Sequence, residues 1–267
     1  MKSDFWLDKI PLWMVFVVTV AAVWLAIWMG TLFGKRVRRK PDHPADTTLG
    51  TSVGATLGML GFLLAFTFGI TTEIFQTKRQ LLLDEINAIG TTYLRACYLV
   101  EPHRSEICKQ LREYVDIRVK LAKENIYQQP EKLREAVGRS EALQDEIWSH
   151  VIVIANADRG SMIDALFIYS LNNMIDLQTS RLTVGMYRIP RVIWNILYFI
   201  TILSMVMVGY QIGLSGTRSL KVGFVLAIIF AAVVFLIVDL DRTAEGTIRL
   251  DQKPMFDLQK KMQIQIQ

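Results

Sequence analysis

Residues 50–69 of the chain read GTSVGATLGMLGFLLAFTFG, and this stretch decides the architecture. It lies inside the window 47–72, which contains no charged residue and is long enough for one helix to cross the hydrocarbon core of a bilayer. Small residues recur along it in two rows with four-residue spacing: Gly50, Gly54 and Gly58, then Gly61, Ala65 and Gly69. Such rows most often allow another helix backbone to approach closely, but they also suit a helix crowded at the axis of an oligomer.

Three further windows lack Asp, Glu, Lys and Arg, namely 10–34, 192–217 and 222–238. Together the windows predict four transmembrane helices, at about 11–33, 49–72, 192–214 and 221–239. We expect the first span to remain as an anchor, because its apolar run is longer than the core of a signal peptide. The mean hydropathy of +0.30 argues against an ordinary soluble enzyme and against disorder, and the 21% of charged residues excludes a purely lipid-buried protein.

The segment 73–190 between the second and third spans has the composition of a water-soluble protein. It holds 15 Lys and Arg against 16 Asp and Glu, and its apolar residues recur at spacings of three and four. This period predicts four amphipathic helices, with the helix of the second span continuing out of the bilayer into the first of them. The predicted organisation is a transmembrane hairpin (1–72), a charged helical extramembrane domain (73–190), a second transmembrane hairpin (191–240) and a polar C-terminal tail (241–267).

The second span offers candidates for the lining of a pore. Phe62 and Phe66 are four residues apart, so they stack on one helix face and could form an apolar constriction, which can gate by dewetting. The other pore-lining candidates are Thr51, Ser52, Gly54, Thr56, Gly58 and Ile70. The hydroxyl groups among them would solvate ions at one mouth. The alternative is that the same residues serve only ordinary helix packing.

Charged residues at two places admit both a functional and a structural interpretation. Asp239, Asp241 and Arg242 end the fourth span, where they could lie on an ion path or form an interfacial stop signal with Arg242 as the partner. Asp84 and Glu85 lie on the predicted extension of the second helix. They could line the mouth of a pore or simply be solvated.

Signals of an enzyme or of a metal site are lacking in the sequence. There is no glycine-rich phosphate loop, and His43, His103 and His150 are scattered without the spacing of metal ligands. We therefore expect no catalytic residue, no metal and no cofactor. Cys97 and Cys108 could form a disulfide if 73–190 lies outside the cell, although two buried small hydrophobic residues are the commoner case.

The charges that flank the spans give conflicting evidence on orientation. Five cations lie within residues 35–40, and Arg218 and Lys221 lie between the last two spans. The positive-inside rule then places both short loops in the cytoplasm and 73–190 outside. Cations such as Lys78 and Arg191 flank the spans on the other side and oppose this assignment.

Three blocks together resemble the signature of a bacterial bestrophin-like family of membrane proteins. They are LLDEINAIGTTYLRA at 82–96, NMIDLQTSRL at 173–182, and IVDLDR at 237–242 followed by GTIR at 246–249. The resemblance to the eukaryotic bestrophin anion channels is more distant. It implies five subunits around one axis, an apolar neck lined by the second-span helix, and a cytoplasmic position for 73–190.

Within that resemblance, Leu63-Leu64-Ala65-Phe66 is similar to the apolar pattern of the neck, and Phe62 and Phe66 fall on two neck positions. Gly58 stands where the channels carry a bulkier apolar residue, which would widen or shorten the neck. The acidic calcium-binding run of the eukaryotic channels has no clear counterpart here, so no calcium site is carried over.

We therefore expect an all-α fold of four transmembrane helices with a helical extramembrane bundle, bestrophin-like, in a symmetric oligomer. The expected function is an oligomeric channel that conducts small anions along an axis lined by the second span, in the bacterial inner membrane. Its expected partners are the lipid bilayer, further copies of the chain (a pentamer by resemblance) and small ions, with no nucleic acid. The alternative is a non-conducting, membrane-anchored scaffold or sensor that binds a protein partner through the charged segment.

Overall fold

The computed structural model describes residues 10–39, 49–124, 129–215, 220–243 and 246–264. Within these ranges the chain forms eight helices and no strand. The helices are α1 (Leu12–Arg38), α2 (Leu49–Ala96), α3 (His103–Lys123), α4 (Pro130–Ala157), α5 (Met162–Gly185), α6 (Arg191–Ser215), α7 (Leu220–Asp241) and α8 (Lys253–Ile264). The all-α prediction is confirmed. His43, Lys40 and Arg218 lie outside the described residues.

Four of the helices, α1, α2, α6 and α7, are long and apolar enough to cross a membrane. They match the four predicted spans, although α1 runs on to Arg38, past the predicted end of the first span. Helix α2 is continuous over 48 residues, as predicted for a span that extends beyond the bilayer. A helix of this length measures about 72 Å, more than twice the hydrocarbon core.

The chain divides into two compact units. The membrane unit comprises Met1–Phe75 and Arg188–Ile248, and the bundle unit comprises Gln76–Tyr187 and Arg249–Gln267. Helix α2 contributes its first part to the membrane unit and the remainder to the bundle unit.

The membrane unit is built around a very close crossing of α1 and α6. A Cβ atom added to Gly30 of α1 would lie 2.1 Å from the backbone oxygen of Val206, and one added to Gly209 of α6 would lie 2.0 Å from that of Ile27. Gly34 and Gly213, one turn further along each helix, make equally close approaches to the opposite backbone. The tight small-residue packing in this unit is therefore between α1 and α6, where only glycine leaves enough room.

The bundle unit has its own apolar core, formed by the second part of α2 together with α3, α4, α5 and α8. Fully buried side chains such as Leu111, Tyr114, Leu143 and Phe167 meet there. Apolar residues at helical spacing predicted the four of these helices that lie within 73–190. Helix α5 begins at an N-cap, Ser161, whose hydroxyl oxygen accepts a hydrogen bond from the backbone N–H of Asp164 at 3.2 Å.

The C-terminal helix α8 completes the bundle core from a segment in which the sequence predicts only a polar tail. Met255 and Met262 are seven residues apart on one face of α8, and both are buried. The hydroxyl of Tyr93 on α2 donates to the backbone oxygen of Met262 at 3.3 Å. Helix α8 therefore joins the bundle core through two buried methionines, and it packs mainly on α3, where the Gln259 amide donates to the Asp116 carboxylate at 2.6 Å.

Candidate pore-lining face and charge clusters

Phe62 and Phe66 lie on a face of α2 that no described part of the chain covers. Phe62 and Phe66 are 68% and 60% exposed, and their rings stack with centroids 6.4 Å apart. The opposite face of the helix is buried through Leu60, Leu64 and Thr67. Burial on one side fixes the rotation of the helix, so the two phenylalanines point out of the membrane unit.

Four glycines of α2 also have open space beside them. A Cβ atom added to Gly54, Gly58, Gly61 or Gly69 would meet no atom within 4 Å. In contrast to Gly30 and Gly209, these residues therefore make no close helix contact with the described part of the chain.

The remaining candidates lie at different places around the helix. Thr51 and Ser52 are exposed, as are the two candidate glycines Gly54 and Gly58, whereas Thr56 and Ile70 are partly buried. At 100° per residue, Thr56 lies about 120° around the helix from Phe62. Its hydroxyl donates to the backbone oxygen of Val53 at 2.9 Å, so its hydrogen is already used within the helix.

Asp239, at the end of α7, holds the chain segment that follows the helix. Its carboxylate accepts hydrogen bonds from the backbone N–H groups of Thr247 at 2.6 Å and Ile248 at 3.3 Å, and also from the Thr247 hydroxyl. A Cβ atom added to Gly246 would lie 2.2 Å from this carboxylate. Asp239 thus acts as the acceptor for a tight turn that requires glycine.

Asp241 and Arg242 are tied to other parts of the membrane unit. The Asp241 carboxylate accepts from the backbone N–H of Ile189 at 3.0 Å, and its backbone oxygen accepts from Arg188. The Arg242 guanidinium donates to the backbone oxygen of Ile10 at 2.8 Å. All three residues at the end of α7 are buried, so these contacts support a structural role.

Glu85 on α2 is the centre of a buried ion cluster in the bundle unit. It is 0% exposed and pairs with Arg118 of α3 at 3.3 Å and with Arg181 of α5. Burial by itself would raise the pKa of Glu85, but the two guanidinium groups outweigh burial and lower it. Because Glu85 has no exposed surface, it is neither solvated nor available to line the mouth of a pore, and both interpretations of this residue are wrong.

A polar network extends this cluster across the bundle. The Tyr114 hydroxyl accepts from Arg118 at 2.9 Å and lies within hydrogen-bonding distance of Glu85 and of the Gln178 side-chain oxygen. Gln144 of α4 donates to the same oxygen of Gln178 at 2.8 Å. Burial raises the pKa of Tyr114 to about 12, so the phenol stays protonated at neutral pH. The network links α2, α3, α4 and α5 within one core.

Two histidines that look unrelated in the sequence meet in the bundle unit. The Nδ1 atoms of His103, at the start of α3, and His150, in α4, lie 3.0 Å apart. A separation of 47 residues gives no sequence signal for such a pair. Among the described residues, no group of three or more His, Cys, Asp and Glu is placed to hold a metal ion.

Both cysteines are free thiols in the structure, Cys97 exposed and Cys108 buried. The pKa of Cys108 is raised to about 12, mainly because the thiol is buried and to a lesser extent because Cys97 lies beside it. The Cys108 thiol is therefore protonated and unreactive at neutral pH.

Comparison with known proteins agrees with the resemblance noted in the sequence. A family model described as the bestrophin-like domain matches residues 17–255. A mutant of a bacterial bestrophin homologue from Klebsiella pneumoniae is similar in structure, with a TM-score of 0.69 at 12% identity, covering 92% of this chain and 97% of that one. A second mutant of it gives a TM-score of 0.67 at 12% identity, covering 95% and 98% of the two chains.

A further structure of the Klebsiella pneumoniae homologue gives a TM-score of 0.63 at 14% identity and covers 93% of this chain and 96% of that one. At such identities these likenesses concern the fold. No curated protein matches the chain in a sequence comparison. Because the family model covers most of the sequence, the chain belongs to the bestrophin-like family of membrane proteins.

Proposed function

We propose that several copies of this chain assemble around a common axis in a bacterial inner membrane and conduct small anions along it. The exposed face of α2, carrying Phe62 and Phe66, lines the path. Membership of the bestrophin-like family supports this function, and the solved bacterial homologues share the fold.

The observation that carries the proposal is the division of α2 into a buried and an uncovered face. The uncovered face presents two stacked phenylalanines and a row of glycines whose Cβ positions are open. Around an axis, phenylalanines from several subunits would form apolar rings that exclude water until they separate.

The chemistry of the same face suits an anion. Residues 47–72 contain no carboxylate that would repel one, and the exposed hydroxyl group of Thr51 can turn a hydrogen towards it. At the end of α1 the membrane unit also exposes Lys35, Arg36 and Arg38, which would raise the local concentration of anions.

Two substitutions on the uncovered face should change flux in opposite directions. Phe66→Ala removes a ring from the constriction and should raise halide flux. Gly58→Leu adds bulk where an added Cβ meets nothing within 4 Å, so the fold should accept it while the path narrows and flux falls. Phe68→Ala is the matched control, because Phe68 lies about 200° around the helix from Phe66.

The measurement is halide flux into liposomes that contain the purified full chain, followed with an entrapped halide-quenched dye. We expect the wild type to conduct halide. Relative to the wild type, flux should rise with Phe66→Ala, fall with Gly58→Leu and stay unchanged with Phe68→Ala. Absence of flux in any salt would favour the non-conducting scaffold. Equal effects of Phe66→Ala and Phe68→Ala would show that the proposed face of α2 does not line the path.

A further inference from the structure

We propose that His103 and His150 form a binding site for one divalent transition-metal ion of the kind that prefers imidazole, such as Zn²⁺, Cu²⁺ or Ni²⁺. The site lies wholly in the bundle unit, outside the membrane-spanning segments. It does not depend on whether the protein conducts ions.

The distance between the two ring nitrogens fits a shared metal ion. A metal–imidazole bond is about 2.0–2.1 Å long, so two ligands of one ion lie about 2.9 Å apart at a 90° angle and about 3.3 Å apart at the tetrahedral angle. The Nδ1 atoms of His103 and His150 are 3.0 Å apart. The ring centroids are 5.2 Å apart and the ring planes make an angle of 72°, so the two rings neither stack nor block each other.

The positions of His103 and His150 leave the two rings accessible to an ion and hold them on a fixed backbone. Both histidines are partly exposed, so water and ions reach the rings. They are carried by two helices, α3 and α4, which pack through buried residues such as Ile107 and Ile147 in the bundle core. The backbone positions of the two ligands are therefore fixed before the metal arrives, which reduces the entropic cost of binding.

The chemistry of the ligands selects the class of ion. Neutral imidazole suits Zn²⁺, Cu²⁺ and Ni²⁺, whereas Ca²⁺ and Mg²⁺ prefer oxygen ligands. Without metal, one Nδ1 donates a hydrogen bond to the other. With metal, the donor ring carries its hydrogen on Nε2 instead, and no net proton is released.

Two protein ligands leave the other coordination positions to water. The described residues contain no third His, Cys, Asp or Glu grouped with the pair. The site should therefore bind an exchangeable ion more weakly than a closed structural zinc site with four protein ligands.

The test is a titration of the full-length protein, purified without a histidine tag and stripped of metal, with ZnCl2 in a calorimeter. We expect one ion per chain. His103→Ala and His150→Gln should each weaken binding by about tenfold or more, since even the loss of outer-shell partners costs 10–100-fold. His43→Ala, which changes the third histidine of the chain, should leave the affinity unchanged.

A second measurement on the unaltered chain tests the same site without relying on the folding of the variants. Bound Cu²⁺ should show nitrogen hyperfine splitting from two imidazoles in electron paramagnetic resonance, and Zn²⁺ should raise the melting temperature of the wild type but not of His150→Gln. The proposal is overturned if no ion binds, if both histidine variants bind as tightly as the wild type, or if His43→Ala weakens binding as much as they do.

Discussion

Replacing Glu85 with Gln should destabilise the bundle unit strongly, because the Glu85 carboxylate pairs with two guanidinium groups inside the bundle. Glu85 is 0% exposed, and the side chains of its partners Arg118 and Arg181 are 3% and 14% exposed. At an effective dielectric constant of about 20, opposite charges at the Glu85–Arg118 distance of 3.3 Å attract by about 5 kcal/mol. Glutamine keeps the volume of the side chain but removes this attraction, leaving the buried Arg118 and the partly buried Arg181 close together with like charge.

Breaking a buried ion pair by removing one partner costs about 3–5 kcal/mol, because the remaining charge stays out of water. A loss of this size should speed hydrogen exchange of the most protected bundle amides by about 100- to 4,000-fold. The assay is hydrogen–deuterium exchange with mass spectrometry on the purified chain in nanodiscs, followed over peptides from α3 and α5.

Glu113→Gln provides the matched control. Glu113 pairs with Arg139 at 2.7 Å, but both side chains are more than 40% exposed. Exposed ion pairs contribute little to stability, so exchange should change by less than about tenfold. If Glu85→Gln changes exchange no more than Glu113→Gln does, the buried cluster does not hold the bundle together and the reasoning is wrong.

Three further predictions follow from the same contacts. The pKa of Glu85 is lowered below its ordinary value of 4.5. The contribution of Glu85 to stability is therefore present above about pH 4.5 and is lost as the pH falls through the folded-state pKa. The difference in hydrogen exchange between wild type and Glu85→Gln should shrink only in that acidic range. Gly209→Ala places a Cβ 2.0 Å from a backbone oxygen of α1 and should lower the melting temperature in detergent, whereas Gly58→Ala, with nothing within 4 Å, should not. Asp239→Ala leaves the N–H of Thr247 without its acceptor, so it should cost about 1–3 kcal/mol or more and speed exchange at residues 246–248, while Asp239→Asn should cost less.

The membrane helices could be predicted because the absence of charge over some twenty residues is a local signal that needs no knowledge of contacts. The bundle helices could be predicted for a similar reason, since their apolar residues repeat with the helical period. Helix α8 was not predicted, because its buried Met255 and Met262, with the partly buried Phe256 and Leu258, lie in a short segment that is otherwise polar.

The contacts made by particular residues could not be predicted, because their partners are distant in the sequence. A glutamate such as Glu85 in the middle of a charged helix reads as solvated until Arg118 and Arg181 are brought to it. The separation of 47 residues likewise hides the pairing of His103 and His150.

The glycines show the same limit. The sequence marks the small-residue rows of the second span, but only the packing reveals which glycines of the chain meet a backbone. Gly30 and Gly209 do so, whereas Gly54 and Gly58 remain uncovered. The uncovered row is the one that the proposed function uses.

The central claim is that the uncovered face of α2 surrounds an axis shared by several copies of the chain. Electron cryo-microscopy of the full-length protein in lipid nanodiscs tests this claim most directly. We predict a closed ring of subunits with Phe62 and Phe66 pointing at the central axis. A monomer, or an assembly in which these two residues face the lipid at the perimeter, would contradict the account.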